Sequence, residues 1–264
     1  MKIAYDGSEF YGFQRQPERP TVEGALIDAL ESVGAVSSDH KCGFRSSSRT
    51  DRGVSALGNV VSFNTGFRLE SLCSALNSEL RAIWAYSAVC VDDDFNPRWA
   101  RQRWYRYYLP RASQRLSLMN EAANKFVGTH DFSGFARLDG RSPIRTIDSI
   151  EISTSRSFHL IDFRAESFLW NMVRRMVWFI DAVGKESISP NDCDLDAGRK
   201  PRRVGLAPPE FLLLMDVDCG IRFPVETKVA RALLQMHRSR IAALEMDREI
   251  SRQLEMLLKG DGVQ

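Results

Sequence analysis

The 264-residue chain has few of the residues on which metal and redox sites are built. Its five cysteines include no Cys-x-x-Cys pair, and its four histidines show no ligand spacing. An odd number of scattered cysteines is typical of buried thiols in a reducing compartment, so we expect a cytoplasmic protein without disulfides or metal. We find no phosphate-binding glycine loop, dinucleotide fingerprint or Ser-His-Asp order, and we therefore expect no cofactor.

Long apolar runs and an excess of one charge are also missing. No apolar run could span a bilayer, and a strand is predicted almost at the first residue, so we expect neither a membrane partner nor a signal peptide. The formal net charge is only +2. Arginine is instead clustered locally, with interleaved aromatics at 98–107 and with a lysine at 199–203. Such clusters suit phosphate contact and base stacking, or equally a solvated strand edge that keeps other strands away.

The predicted elements repeat along the chain. In the first half we predict a helix that begins after the N-cap Thr21 and ends at Gly34, and a second helix over 69–80. The strands of this half are predicted at 2–5, 41–45, 59–63 and 83–91. The second half has predicted helices over 116–127 and 168–183, and predicted strands at 104–109, 144–152, 158–164 and 211–217. Both halves read β-α-β-β-α-β, which is the ferredoxin-like order.

This repeat predicts a mixed α+β fold. We expect two tandem ferredoxin-like units joined into one mainly antiparallel sheet, with helices on one side and a catalytic cleft at the seam. The predicted domains are an N-terminal half over 1–100, a C-terminal half over 101–225 and a charged helical extension over 226–264. We expect this extension either to cap the domain or to bind a partner.

One acid stands out in the loop that follows the second predicted strand. Asp51 lies between Arg49 and Arg52 in the stretch Arg-Thr-Asp-Arg-Gly-Val-Ser-Ala, 49–56. An acid hemmed in by arginines suits a single carboxylate held beside a polyanion. The alternative is a plain turn aspartate, because Thr-Asp-x-Gly is ordinary turn chemistry.

The predicted helix at 168–183 is apolar almost all round, yet it carries Arg174 and Arg175. A buried guanidinium without an anion is costly, so we expect at least one of the two to meet a carboxylate. Asp51 is the candidate partner, because it also needs a cation. The alternative is an arginine whose charged end reaches the surface.

The predicted strand at 104–109 is rich in aromatics. Tyr105 and Tyr107 share one face of it, and Arg106 lies on the other. These tyrosines could form a platform for a base, or they could simply reflect strand propensity. His130 is a candidate general base, or a histidine that hydrogen-bonds a loop together with Asp131.

These motifs, in this order, resemble the TruA family of tRNA pseudouridine synthases over most of the chain, from Tyr5 to about Val217. The opening signature of the family resembles 5–16, Tyr-Asp-Gly-Ser-Glu-Phe-Tyr-Gly-Phe-Gln-Arg-Gln. The other matching segments are the catalytic motif at 49–56, Arg-Trp-Tyr-Arg-Tyr at 103–107, His-Asp-Phe at 130–132 and Phe-Leu-Trp-Asn-Met-Val-Arg at 168–174.

The resemblance implies a function and a set of roles. It carries the nucleophile to Asp51, the active-site tyrosine to Tyr105 and the ion-pair role to Arg174, and Arg49 could hold a flipped uridine out of its stack. The further residues expected to contact the substrate are Thr50, Arg52, Arg106, Tyr107, His130, Arg202 and Arg203. The implied partner is tRNA, bound at its anticodon stem-loop by a homodimer.

Two other functions compete with this one. Ferredoxin-like sheets with exposed aromatics also occur in RNA-binding modules without catalysis. A carboxylate-based hydrolase of nucleosides or sugars would need a second acid nearby, and the Asp51 loop supplies none.

Overall fold

One large, mostly antiparallel sheet forms the centre of the larger of two units. The computed structural model describes residues 1–37, 42–193, 195 and 204–258. The first of two units, Met1–Phe223, contains all nine strands found among these residues. The strands are β1 (Lys2–Tyr5), β2 (Arg45–Ser46), β3 (Ser55–Ser62), β4 (Ile83–Ser87), β5 (Gln102–Pro110), β6 (Gly128–Asp131), β7 (Ile144–Thr154), β8 (Phe158–Ala165) and β9 (Leu212–Asp218). The helices of this unit are α1 (Val22–Ser32), α2 (Leu69–Glu79), α3 (Leu116–Asn124) and α4 (Met172–Gly184).

The strand order shows the expected repeat. The sheet runs β4-β1-β3-β9-β5-β8-β7-β6, with β2 paired to β3. Each half therefore has the same arrangement, β4-β1-β3-β2 in the first and β9-β5-β8-β7 in the second, and the predicted fold class is confirmed. The edge strand β6 was not predicted, because its sequence Gly-Thr-His-Asp carries no apolar alternation.

The two halves join through β3 and β9. Ser55 and Ala56 pair with Leu213 and Leu214 in parallel, whereas β2 pairs only with the other end of β3. Because β2 is two residues long, it leaves the first part of β3 free to meet β9. The loop between β2 and β3, which carries Asp51, therefore lies beside the join.

Burial follows the expected alternation in β5. Arg103, Tyr105, Tyr107 and Leu109 are buried, while the residues between them are partly exposed. The shared face predicted for Tyr105 and Tyr107 is confirmed. Alternation of this kind is what a strand covered by helices on one side produces.

Helix boundaries differ from prediction at one functionally important place. α4 begins at Met172 rather than at 168, because Asn171 has a left-handed backbone (φ 64°) that interrupts the helix. Residues 168–170 therefore form an irregular segment, in which Trp170 makes a bridge to Arg137. By contrast, α1 begins as predicted: the Thr21 hydroxyl accepts a hydrogen bond from the Gly24 amide at 3.2 Å.

The second unit, Pro224–Gln264, contains the charged helix α5 (Thr227–Leu258), close to the predicted bounds. Among the residues with described structure, no helix is both long and apolar enough to cross a membrane. The division of the first unit into domains at residue 100 stays a prediction.

Candidate active site

A cleft of about 1180 Å³ lies on the Asp51 loop. Its walls come from the segment 11–16, the loop around Asp51, β5 and the segment that leads into α4. Among the described residues, the cleft is lined by two acids, Asp51 and Asp139, and by seven arginines. The arginines are Arg15, Arg49, Arg52, Arg98, Arg103, Arg141 and Arg174. A lining of this charge attracts a polyanion.

Asp51 and Arg174 form an ion pair inside this cleft. Arg174 Nη1 lies 3.1 Å from Asp51 Oδ2, and the two side chains are 11% and 24% exposed. Arg174 Nε also donates to the carbonyl oxygen of Ala207 at 2.7 Å. The expected contact between one helix arginine and a carboxylate is therefore present, and the geometry leaves part of the Asp51 carboxylate open to the cleft.

The Asp51 loop is held by neighbours from the start of the chain. The Phe13 amide donates to the Thr50 carbonyl at 3.0 Å, and the Thr50 hydroxyl lies 2.8 Å from the Tyr5 hydroxyl. Gly12 has φ +105°, and a Cβ there would come within 3.2 Å of the Thr50 carbonyl oxygen. Thr50 is therefore a buried residue of the cleft lining, and its hydroxyl is engaged by Tyr5.

Arg103 is a cleft residue to which sequence reasoning gave no role. Its side chain is buried and donates to the carbonyls of Ser47 (2.7 Å), Arg98 (3.0 Å) and Glu166 and to the Ser48 hydroxyl (3.2 Å). Burial lowers the pKa of this guanidinium, and the nearby Glu166 carboxylate opposes that effect. Arg103 thus ties the loop residues Ser47 and Ser48, which follow β2, to the segment before α4. In the sequence, the only sign of a role for Arg103 is its place in the tyrosine motif, on the face of the strand that Tyr105 and Tyr107 share.

Tyr105 lies on the same face of β5 as Arg103 and lines the cleft. Its ring packs edge-on against Phe168, with the centroids 5.4 Å apart. Burial raises the pKa of Tyr105 to about 12, and the positive charge of Arg103 partly opposes this rise. Tyr105 is therefore a neutral phenol at neutral pH.

Three arginine–aromatic contacts involve aromatic residues of the cleft, and none was predicted. The guanidinium of Arg52 lies 4.2 Å from the centre of the Tyr11 ring, and Arg19 lies 4.8 Å from it. On the wall from the second half, Arg137 lies 4.3 Å from the centre of the Trp170 ring. Tyr11, Arg52 and Trp170 all line the cleft, so both walls present planar groups on which bases can stack.

Several predicted substrate contacts lie elsewhere. Tyr107 is 1% exposed and donates to the Pro208 carbonyl at 3.1 Å, so it belongs to the core. Arg106 lies on the opposite face of β5, where both arms of its guanidinium bond the Asp162 carboxylate at 2.9 and 2.8 Å. His130 is outside the cleft lining, and its Nε2 lies 2.8 Å from the Val127 carbonyl. Arg202 and Arg203 fall outside the described residues. Arg49 and Arg52 do line the cleft and are exposed.

Comparison with known proteins gives the class first. A family model described as "tRNA pseudouridine synthase" matches residues 122–218. The chain is 45% identical over 236 residues to tRNA pseudouridine synthase A of Pyrococcus abyssi, which covers 88% of both chains. It is 42% identical over 229 residues to the protein of that name from Methanothermobacter thermautotrophicus, covering 84% of this chain and 81% of the relative.

The chain belongs to the tRNA pseudouridine synthase A family, and the family resemblance is confirmed. Among solved structures, one chain in the crystal structure of a Cbf5-Nop10-Gar1 complex is similar to this chain. The match covers 69% of this chain and 45% of the matched chain, with 10% sequence identity. Its TM-score of 0.38 is too low to support an argument.

Proposed function

We propose that this chain isomerises uridine to pseudouridine in tRNA, with Asp51 as the nucleophile. The observation that carries the proposal is the Asp51–Arg174 ion pair, which lies in a cleft lined by seven arginines and two aspartates. Covalent catalysis needs a carboxylate held in position, and the Arg174 guanidinium holds Asp51 by a 3.1 Å contact. The surrounding arginines suit the phosphates of an RNA strand.

The reaction needs no outside atoms or electrons. In one route the Asp51 carboxylate bonds to C1′ as the C1′–N1 bond breaks, uracil turns, and C5 attacks C1′ as the ester to Asp51 breaks. In the other route the carboxylate adds to C6 as the C5–C6 double bond becomes an enolate. The C1′–N1 bond then breaks, the base turns, C5 bonds to C1′, and loss of the C5 proton restores the double bond as the Asp51 oxygen leaves C6. In both, C5 loses a proton and N1 gains one, so the product is an isomer of the substrate. The arrangement of Asp51 and Arg174 is compatible with either point of attack.

The uridine must reach Asp51 by leaving its helical stack, which costs a few kcal/mol. Arg49 is exposed, lines the cleft and lies two residues before Asp51. It is the side chain that we propose holds the base out. We further propose the anticodon stem-loop as the target, on the expectation that the family resemblance provides.

Tyr105 is the residue that we propose packs on the flipped uracil. Its pKa of about 12 keeps the phenol protonated at neutral pH. The raised pKa therefore favours packing and hydrogen bonding over a role as an ionised base. If Tyr105 takes the C5 proton, its own phenolic proton has to pass on in the same step.

The hydrolase alternative is disfavoured by the surroundings of the second acid in the cleft. The Asp139 carboxylate bonds Arg141 through both oxygens, at 2.7 and 2.8 Å. A carboxylate engaged in this way has its pKa lowered by the arginine, which suits neither a general acid nor a general base.

Two further proposals rest on the family expectation: a homodimer, and a cytoplasmic location. The homodimer can be tested by light scattering of the purified protein with and without tRNA. A mass of one chain under both conditions would contradict it.

The proposed function is tested by mapping pseudouridines in an unmodified tRNA transcript before and after incubation with the purified protein, without added cofactor. We expect new pseudouridines in the anticodon stem-loop. New pseudouridines elsewhere would overturn the proposed target alone, and none at all would overturn the enzyme.

A further inference from the structure

Trp170 is a large apolar side chain left exposed at a charged cleft. It lines the cleft and is 42% exposed. It directly precedes Asn171, whose left-handed backbone interrupts the helix that carries Arg174. The exposed part of this indole buries no apolar surface within the chain and is therefore available to a ligand.

The indole is held in place by a neighbouring loop. The Arg137 guanidinium lies 4.3 Å from the ring centre, and the Arg137 amide donates to the Trp170 carbonyl at 2.9 Å. The main-chain bridge and the side-chain contact together fix the backbone and cover part of the ring. A planar ring that is held before binding loses little conformational entropy when a base stacks on it.

The position of Trp170 relative to the ion pair matters. It is four residues before Arg174 and lines the same cleft as Tyr11 and Arg52, which come from the other half of the chain. When a uridine leaves its stack to reach Asp51, its neighbours lose a stacking partner. An exposed aromatic ring in the cleft lining can replace that partner, because every base has a face that can stack on it.

We propose that Trp170, held by Arg137, is a stacking platform for a nucleotide next to the modified uridine. This inference rests on the proposed function, since it assumes that RNA enters the cleft. The ligand class is an unpaired base of an RNA strand. Trp170 then contributes to substrate binding and to the choice of site, and takes no part in bond making.

The first test measures steady-state kinetics and affinity on an unmodified tRNA transcript. We expect Trp170→Ala to raise KM and Kd between about 5- and 100-fold, as loss of one stacked base predicts, with kcat within about twofold. Trp170→Phe should recover most of the affinity, because it keeps a ring. The matched control is Trp84→Ala: Trp84 lies on β4, is partly exposed and is not among the residues that line the cleft, so its loss should leave KM and Kd unchanged.

The second test locates the stacked base. Transcripts with a single abasic nucleotide on either side of the target uridine are bound to the wild type and to Trp170→Ala. When the abasic nucleotide replaces the stacked base, the ratio of the Trp170→Ala Kd to the wild-type Kd should fall to about one. A ratio that stays the same at every position, or a Trp170→Ala protein with wild-type affinity, would overturn the platform.

Failure of the platform and failure of the enzyme are distinguishable. If the wild type forms pseudouridine and Trp170→Ala binds tRNA normally, only the platform is wrong. If the wild type forms none, the proposed function is wrong, and the Kd ratios on abasic transcripts still decide whether Trp170 stacks on RNA.

Discussion

Arg174 and Asp51 are 123 residues apart in the chain, and their side chains meet at 3.1 Å. Arg174 comes from the helix of the second half that leads toward β9, and Asp51 comes from the loop before β3. Because β9 and β3 pair with each other at the join, the sheet itself brings the two residues together. The ion pair is therefore a consequence of how the two repeats are joined, rather than of either repeat alone.

Loss of the guanidinium should impair chemistry more than binding. We expect Arg174→Met to lower kcat by about 100-fold or more, because the charge beside the nucleophile is lost, and to change Kd for tRNA by less than about fivefold. Single-turnover assays with excess enzyme measure the first effect, and filter binding measures the second. Arg175→Met is the matched control, because Arg175 is adjacent and does not line the cleft. Equal losses in both variants would show that the ion pair has no special role.

Arg103 should act by positioning the Asp51 loop. Its guanidinium bonds four acceptors, which a lysine ammonium with three protons and a different shape cannot reproduce. We therefore expect Arg103→Lys to lower kcat by roughly 10-fold or more with little change in KM, and Arg103→Met to be at least as impaired. Thermal unfolding of both variants serves as the folding control. Full activity of Arg103→Lys would mean that charge alone matters at this position.

Binding of tRNA should weaken steeply with salt, because phosphate contacts release counterions. We expect the logarithm of the association constant to fall linearly with the logarithm of the salt concentration. In Arg52→Gln the slope should be less steep, by about the amount that one phosphate contact contributes. Arg106→Gln is the comparison, since Arg106 is paired with Asp162 on the other face of β5. A slope changed by Arg106 and not by Arg52 would place the RNA on the opposite face of the sheet.

The buried phenol of Tyr105 predicts a pH dependence of stability. Burial raises its pKa from 10.0 to about 12, so the folded protein keeps a proton that the unfolded chain releases above pH 10. The contribution of the buried neutral phenol to the free energy of unfolding is fully present below pH 10 and is lost as pH rises through about 12. Phenylalanine carries no proton to release. We therefore expect the free energy of unfolding to fall by about 2–3 kcal/mol less in Tyr105→Phe than in the wild type over this pH range. Denaturant unfolding at pH 9 and at pH 12 measures the difference, and parallel losses would contradict the buried phenol.

Much of this architecture could be predicted from sequence, because the apolar periodicity of α1, α2, β5 and the β7–β8 hairpin is regular. The ion pair could also be expected, since a buried arginine on an apolar helix needs an anion. The start of α4 could not, because the left-handed turn at Asn171 leaves no periodic signal.

The predicted contacts that lie away from the cleft share one physical reason. Tyr107 and Arg106 alternate correctly in β5, yet alternation does not say which buried residues face a cleft and which face the core. Arg103 and Trp170 were missed for the opposite reason: their roles depend on contacts with residues distant in sequence, such as Ser47 and Arg137.

The central claim is that one carboxylate, Asp51, does the covalent work. It is tested most directly by release of tritium from C5 of labelled uridine in tRNA, with purified wild type and Asp51→Ala and no added cofactor. We predict release by the wild type and none above background by Asp51→Ala, although the variant still binds tRNA within about fivefold of the wild-type Kd. Release by Asp51→Ala at the wild-type rate would contradict the account.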